Sequence, residues 1–214
     1  MTVLTNPKSV LDVGAGFGKY GVLSREYLDV WGRGAEVYGD WERLIDGIEA
    51  WQDYLTPLHD FVYDNMYVGD ALDILPTLQT NYDLILLIDV LEHLSFKDGM
   101  KLVKECQARG TNILISTPRD IGPIVATYNP FETHRFQWKK KHFAGLDNKL
   151  FIRNPHSLIL YVGRDAQRLR RDLFLARFRR GFLTHLLSLG GIAMSHTPLL
   201  RTVIGIVKRH LGER

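Results

Sequence analysis

Val10-Leu11-Asp12-Val13-Gly14-Ala15-Gly16-Phe17-Gly18 decides the fold of this chain. Its first four residues read as a short buried strand, and glycines at 14, 16 and 18 end it. Glycine lets the backbone turn tightly and lets a ligand approach where a Cβ would stand in the way. Beyond the loop the spacing predicts a helix from about Tyr20 to Trp31, broken by Gly32 and Gly34. In an α/β sheet, a loop leading from strand to helix lies in the crevice at the strand carboxyl ends, where ligands bind. A dinucleotide loop runs G-x-G-x-x-G and rests its pyrophosphate on the helix N-terminus. Counted from Gly14, the third glycine of that pattern would fall at Lys19, so the spacing does not fit it.

The alternation continues outward. Leu44 to Glu49 predicts a second strand, with Trp51 to Leu55 opening the next helix. Val62 to Val68 predicts a third strand, and Asp70 to Leu78 a turn and short helix around Pro76. Tyr82 to Ile88 is apolar almost throughout, as expected of a central parallel strand covered on both faces. Phe96 to Ala108 predicts an amphipathic helix closed by Arg109-Gly110, and Asn112 to Thr117 a fifth strand stopped by Pro118. Residues 119–137 read as loop and Trp138 to Ala144 as a short helix. Leu150 to Arg153 and Leu158 to Val162 suggest a closing antiparallel pair. This order predicts an α/β, Rossmann-like doubly wound and mostly parallel sheet over 1–163, followed by a helical C-terminal extension over 164–214.

With 214 residues, 45% of them hydrophobic, the chain can bury one sizeable core. Cys106 is the lone cysteine, the N-terminus lacks a signal-peptide pattern, and no apolar run approaches the roughly 18 residues of a membrane span. The expectation is a cytoplasmic protein. The net charge of +3 hides an asymmetry: residues 164–214 carry 11 Lys+Arg against 3 Asp+Glu. In 165–189, apolar Leu169, Leu173, Phe174, Phe178, Phe182 and Leu186 interleave with arginines at helical spacing, and 199–211 predicts a second basic helix. Such an extension could pack on the body with its arginines solvated, or make peripheral contact with an anionic membrane surface. Nucleic acid is the least favoured partner, because basic charge alone is nonspecific and no stacking motif accompanies it. A homodimer is left open.

The pattern apolar-Asp-apolar-Gly-x-Gly-x-Gly resembles the first motif of the class I methyltransferases, which use S-adenosylmethionine (SAM). The resemblance extends through Gly47-Ile48-Glu49, Gly69-Asp70-Ala71 and Asp89-Val90-Leu91-Glu92-His93-Leu94, each just past a predicted strand. The last is similar to the D-x-L-E-H-(L/I) segment of methyltransferases acting on quinone precursors and similar small molecules. The resemblance implies SAM as cofactor, held by Asp12, Gly14, Ala15, Gly16, Gly18, Glu49, Ala50, Trp51, Asp70, Ala71 and Asp89. Within that set, Glu49 would accept from the ribose hydroxyls, Trp51 would pack on the adenine, and Asp70 would take the adenine amino group. Asp46, the competing acid, falls inside its strand.

Methyl transfer is an in-line displacement in which positioning supplies much of the rate, and a base helps where the acceptor is a hydroxyl or a protonated amine. His93 and His134 are the candidate bases, set against bland roles as a backbone-bonded residue and a lid residue. Asn129-Pro130-Phe131 is similar to the N-P-P-Y/F motif of amino-directed nucleic-acid methyltransferases, but one proline is missing and it follows strand five rather than four. Glu92 and His93 are expected to face different ways on a helix, so no metal site is predicted. The expected reaction is methylation of a small-molecule acceptor, a sugar or lipid-precursor hydroxyl being the first guess. The alternatives are a non-catalytic SAM- or nucleotide-binding protein and a nucleic-acid methyltransferase. The first strand begins near residue 9, so elements covering the acceptor are expected from 119–148 or the extension.

Overall fold

A computed structural model describes residues 2–34, 38–122 and 124–176 of the chain. Seven strands form one sheet: β1 (Ser9–Val13), β2 (Leu44–Glu49), β3 (Asn65–Val68), β4 (Leu84–Ile88), β5 (Asn112–Pro118), β6 (Lys149–Ile152) and β7 (Ser157–Gly163). Their order is β3-β2-β1-β4-β5-β7-β6. The first five are parallel, with Val13 opposite both Ile48 and Leu87, while β7 runs antiparallel to β5 and to β6. All five residues of β4 are buried, as an apolar strand at the centre of a covered sheet requires.

The chain winds outward through β1, β2 and β3, then returns to the other side of β1 with β4. Strand order reverses between β1 and β4, which opens a crevice at their carboxyl ends. On one face Leu102, Val103 and Cys106 of the helix Phe96–Arg109 pack with Leu11, Leu87, Ile113, Trp138 and Phe143.

Several local expectations are corrected. The segment after the glycine loop is helical, but it widens to a π-helix over Arg25–Val30. This turn carries a buried Arg25 that bonds Asp29 at 3.1 Å, Asp64 at 2.8 Å and the Val62 carbonyl at 2.8 Å. Trp51 opens only a 3-10 turn, Gln52–Tyr54. The helix begins at Pro57, where the missing N–H costs nothing and Thr56 and His59 form a capping box. It runs to Val62, which moves the start of β3 to Asn65. The helix expected over Trp138 to Ala144 is a 3-10 turn, Lys140–Phe143.

The chain divides into compact units after Leu169. Ala166 and Leu169 are buried in the first unit, and Asp165 exchanges hydrogen bonds with Asn112 at 2.9 and 3.0 Å. Residues 166–176 are helical. The rest of the expected basic helices, 177–214, lies outside the described residues. Among the described residues no helix is long and apolar enough to cross a membrane.

Candidate active site

The glycine loop is built from both sides. Gly14 N and Ala15 N donate to the Ile48 carbonyl at 2.9 and 3.0 Å, tying the end of β1 to the end of β2. Gly14 lies at φ +76, and a Cβ there would meet Val90 Cγ2 at 2.5 Å, so both conformation and space demand glycine. Glu49, buried at the end of β2, accepts from Gly16 N through Oε2 and from Trp51 N through Oε1, both at 2.8 Å. Each carboxylate oxygen keeps a further lone pair for a ligand hydroxyl. His59 Nε2 donates to the Gly16 carbonyl at 2.9 Å from below, while its Nδ1 accepts from Thr56 N at 3.1 Å.

Two lobes of one cleft open at this loop. The first is lined by Gly14, Gly16, Ile48, Glu49, Ala50, Gly69, Asp70, Ala71, Val90, Leu94, Leu102, Asn129 and Phe131 among others. The second is lined by Ala15, Phe17, Lys19, Tyr20, Ile88, Glu92, Pro118 and His134. Gly14, Gly16, Tyr54, Asp89, His93 and Glu132 line both, so the lobes are contiguous.

Most of the residues singled out from the sequence converge here. Three of the expected cofactor residues line neither lobe. The Asp12 carboxylate points below the loop, where Tyr63 Oη donates to its Oδ2 at 2.7 Å and its Oδ1 is buried without a partner. Burial raises this carboxyl to about 7, partly opposed by the Tyr63 bond. Gly18 caps the helix Lys19–Ser24 in the left-handed conformation. Trp51 turns its ring to Tyr128 and Phe131, at centroid distances of 5.8 and 6.4 Å. Asp46 is buried in β2 and accepts from Tyr82 Oη at 2.6 Å, a structural role. Asp70 Oδ1 caps Leu72 N at 2.8 Å, and Asp70 faces the first lobe.

Asp89 sits at φ +54, a left-handed position that aspartate tolerates better than most residues. Burial raises its carboxyl, with Lys19 and His93 opposing the shift. His93 and His134 come together, ring centroids 5.2 Å apart. His93 Nε2 is 4.0 Å from Glu132 Oε2, and burial holds its ring below the ordinary histidine range. His134 Nδ1 bonds the Ile121 carbonyl; since a carbonyl only accepts, Nδ1 carries the proton and leaves Nε2 free to accept in the neutral ring. Glu92 and His93 stand on a 3-10 turn, Leu91–His93, rather than a helix, and both line the second lobe. Among the described residues no group of three or more His, Cys, Asp or Glu could hold a metal.

The sequence reading missed Tyr20, Tyr54, Glu92 and Glu132 as lining residues. Tyr54 Oη donates to Glu132 Oε1 at 3.1 Å, closing the rim across 78 residues of sequence. Glu92 could have been found from its place in the segment that supplied Asp89 and His93.

The comparisons agree with this geometry. No family model matches the sequence. Ajmaline N-methyltransferase of Rauvolfia serpentina is 28% identical over 129 residues, a match covering 59% of this chain and 42% of that enzyme. An O-methyltransferase family protein from Burkholderia thailandensis superposes with a TM-score of 0.57 at 13% identity, over 77% of this chain and 53% of that one. PigF, solved with S-adenosylhomocysteine (SAH), gives 0.51 at 16% identity over 76% and 53% of the two chains. The chain has the fold of the class I SAM-dependent methyltransferases. The N-terminal domain of EvdMO1, solved in the presence of SAH and D-fucose, shares this methyltransferase fold at a TM-score of 0.51 and 14% identity, over 75% of this chain and 78% of that one. The chain thus spans less than half the length of the curated methyltransferase it matches and about half of the first two of these structures.

Proposed function

We propose that this chain binds SAM in the first lobe and transfers its methyl group to a small-molecule acceptor in the second. The observation that carries this reading is the shared wall: Gly14, Asp89 and His93 line both lobes, so donor and acceptor would meet there without crossing bulk water. The first lobe fits SAM. Its floor at Gly14 admits no Cβ, Glu49 presents lone pairs to ribose hydroxyls, and Asp70 lies where an adenine amino group would reach it. Ile48, Val90, Leu94, Leu102 and Phe131 supply apolar walls for the base. SAM, when bound, supplies a methyl group on an activated sulfonium.

This chain's residues orient and desolvate. The Tyr54–Glu132 bond closes one rim of the cleft, and His93 and His134 stand beside the acceptor lobe as groups able to hold a proton. The names of the similar proteins include both nitrogen and oxygen acceptors. Isothermal titration with SAM and with NAD tests the reading. SAM should bind and NAD should not, and Glu49→Ala should weaken SAM by about tenfold or more, as expected for losing a hydrogen bond to a charged group. Binding of NAD without SAM would overturn it.

A further inference from the structure

Glu92 is a buried acid without a matching charge. It is 1% exposed, and its Oε2 is buried with no hydrogen-bond partner. None of the ion pairs among the described residues includes it. The Thr117 hydroxyl and the His134 ring beside it favour its charged form, but burial outweighs them. A carboxylate held this way is costly unless a partner arrives. The turn that bears it is held in place. Arg135 N and Phe136 N both donate to the Glu92 carbonyl, at 2.7 and 3.2 Å, and Trp138 Nε1 donates to the Leu91 carbonyl at 2.7 Å. The turn is clamped with Glu92 lining the acceptor lobe.

The rest of that lobe asks for the same partner. Asp89, Glu92 and Glu132 share the lobe with one lysine, Lys19, whose Nζ lies 5.1 Å over the Tyr20 ring, and with His93 and His134, of which burial holds His93 toward its neutral form. Phe17, Tyr20 and Tyr54 add aromatic surface, which attracts cations. Resting on the methyl-transfer reading above, we infer that the second lobe takes a protonated amine as its acceptor and that Glu92 receives the ammonium proton. The proton passes from nitrogen to the Glu92 carboxylate, freeing the nitrogen lone pair. That pair forms the new N–C bond to the sulfonium methyl as the C–S bond breaks, and the C–S electrons stay on sulfur. The products are SAH and a methylated ammonium, and Glu92 returns its proton to solvent.

Basicity agrees with the geometry. Burial raises Glu92 to about 7 and lowers His93, which reverses the usual order of glutamate and histidine as bases. An alkylammonium near ~10 is then within about a thousandfold of proton balance with Glu92, whereas an alcohol hydroxyl, a far weaker acid, lies many orders of magnitude further away. An amine therefore suits this carboxyl better than the sugar or lipid hydroxyl first expected from the sequence.

Titration of the SAH-loaded full chain with benzylamine and phenethylamine, against benzyl alcohol and 2-phenylethanol, tests the inference without any variant. The amines should bind about tenfold tighter, the worth of one charge-assisted contact. Equal affinity for amines and alcohols, including binding of neither, overturns it. With SAM present, SAH should form from the amines. Glu92→Gln should slow that turnover by about a hundredfold or more while leaving SAM affinity within about twofold. A Glu92→Gln protein that melts cooperatively and methylates amines at the wild-type rate also overturns it. Failure of the wild type to bind SAM at all is a separate result and removes the methyl-transfer reading itself.

Discussion

At the scale of single residues, Asp12 and Glu49 show how one motif splits its labour. Both acids are legible in the sequence as strand-end groups beside the glycine loop. Which of them faces the ligand is not, because that depends on Tyr63, which is 51 residues from Asp12 and takes its carboxylate below the loop. The consequence is measurable. In the unfolded chain Asp12 titrates at its ordinary 3.8, while in the fold burial raises it to about 7. Between those values the folded state holds a proton that the unfolded state has lost. The stability this contributes is full below about pH 4 and is lost as pH rises through about 7. Asn holds the neutral form at every pH. Going from about pH 4 to about pH 8 should therefore cost the wild type a few kcal/mol more than Asp12→Asn. Glu92 shifts in the same direction but is present in both proteins and cancels. Urea melts across that range are the check, and parallel stability curves would refute the burial of a titrating Asp12.

At the scale of elements, local periodicity is enough for β2, β4 and the helix Phe96–Arg109, because each announces its own face. Elements whose shape depends on distant partners are not legible. The π-helical turn at Arg25 answers to Asp64, 39 residues away, and no pattern within Tyr20 to Trp31 could show it. The same helix Phe96–Arg109 hides one such partner. Gly99 lies in its first turns, where Ala would ordinarily add about 1 kcal/mol of helix propensity. A Cβ there would sit 2.3 Å from Trp138 Cζ2. The ring cannot yield easily, since it is 1% exposed, bonded to the Leu91 carbonyl at 2.7 Å and stacked on Phe143 at 5.2 Å. Overpacking of this kind costs about 1–3 kcal/mol, more than propensity returns. Gly99→Ala should therefore lower stability by about 1–2 kcal/mol in chemical denaturation. Trp138 also holds the turn bearing Glu92 and His93, so turnover should fall with it. A gain in stability would mean the ring is not the constraint.

At the scale of the whole molecule, the strand order is what the motif sequence anticipates: four ligand cues, each just past a strand, need those strand ends on one edge of one sheet. The parallel order of β1 to β5 provides that edge, and the antiparallel pair β7 and β6 closes the sheet beside β5. What the order of cues could not give is the far wall of the cleft, contributed by Tyr54, Asn129, Phe131 and Glu132, since loop residues follow no period. A ligand that touches the ends of β1, β2 and β4 and this wall at once ties together segments that separate on unfolding. Binding should then appear as stability of the entire unit. SAM at a hundred times its Kd should add about 2.7 kcal/mol, which for a protein of this size is a rise of roughly 5–10 °C in Tm. NAD at the same concentration should leave Tm unchanged. Glu49→Ala loses two backbone hydrogen bonds to its carboxylate and should melt earlier even without ligand, so each protein is compared with its own ligand-free melt. On that basis the SAM-induced rise should shrink in Glu49→Ala by about the free energy of its lost affinity. A variant that melts earlier yet keeps the full rise would show that Glu49 serves the loop and not the ligand.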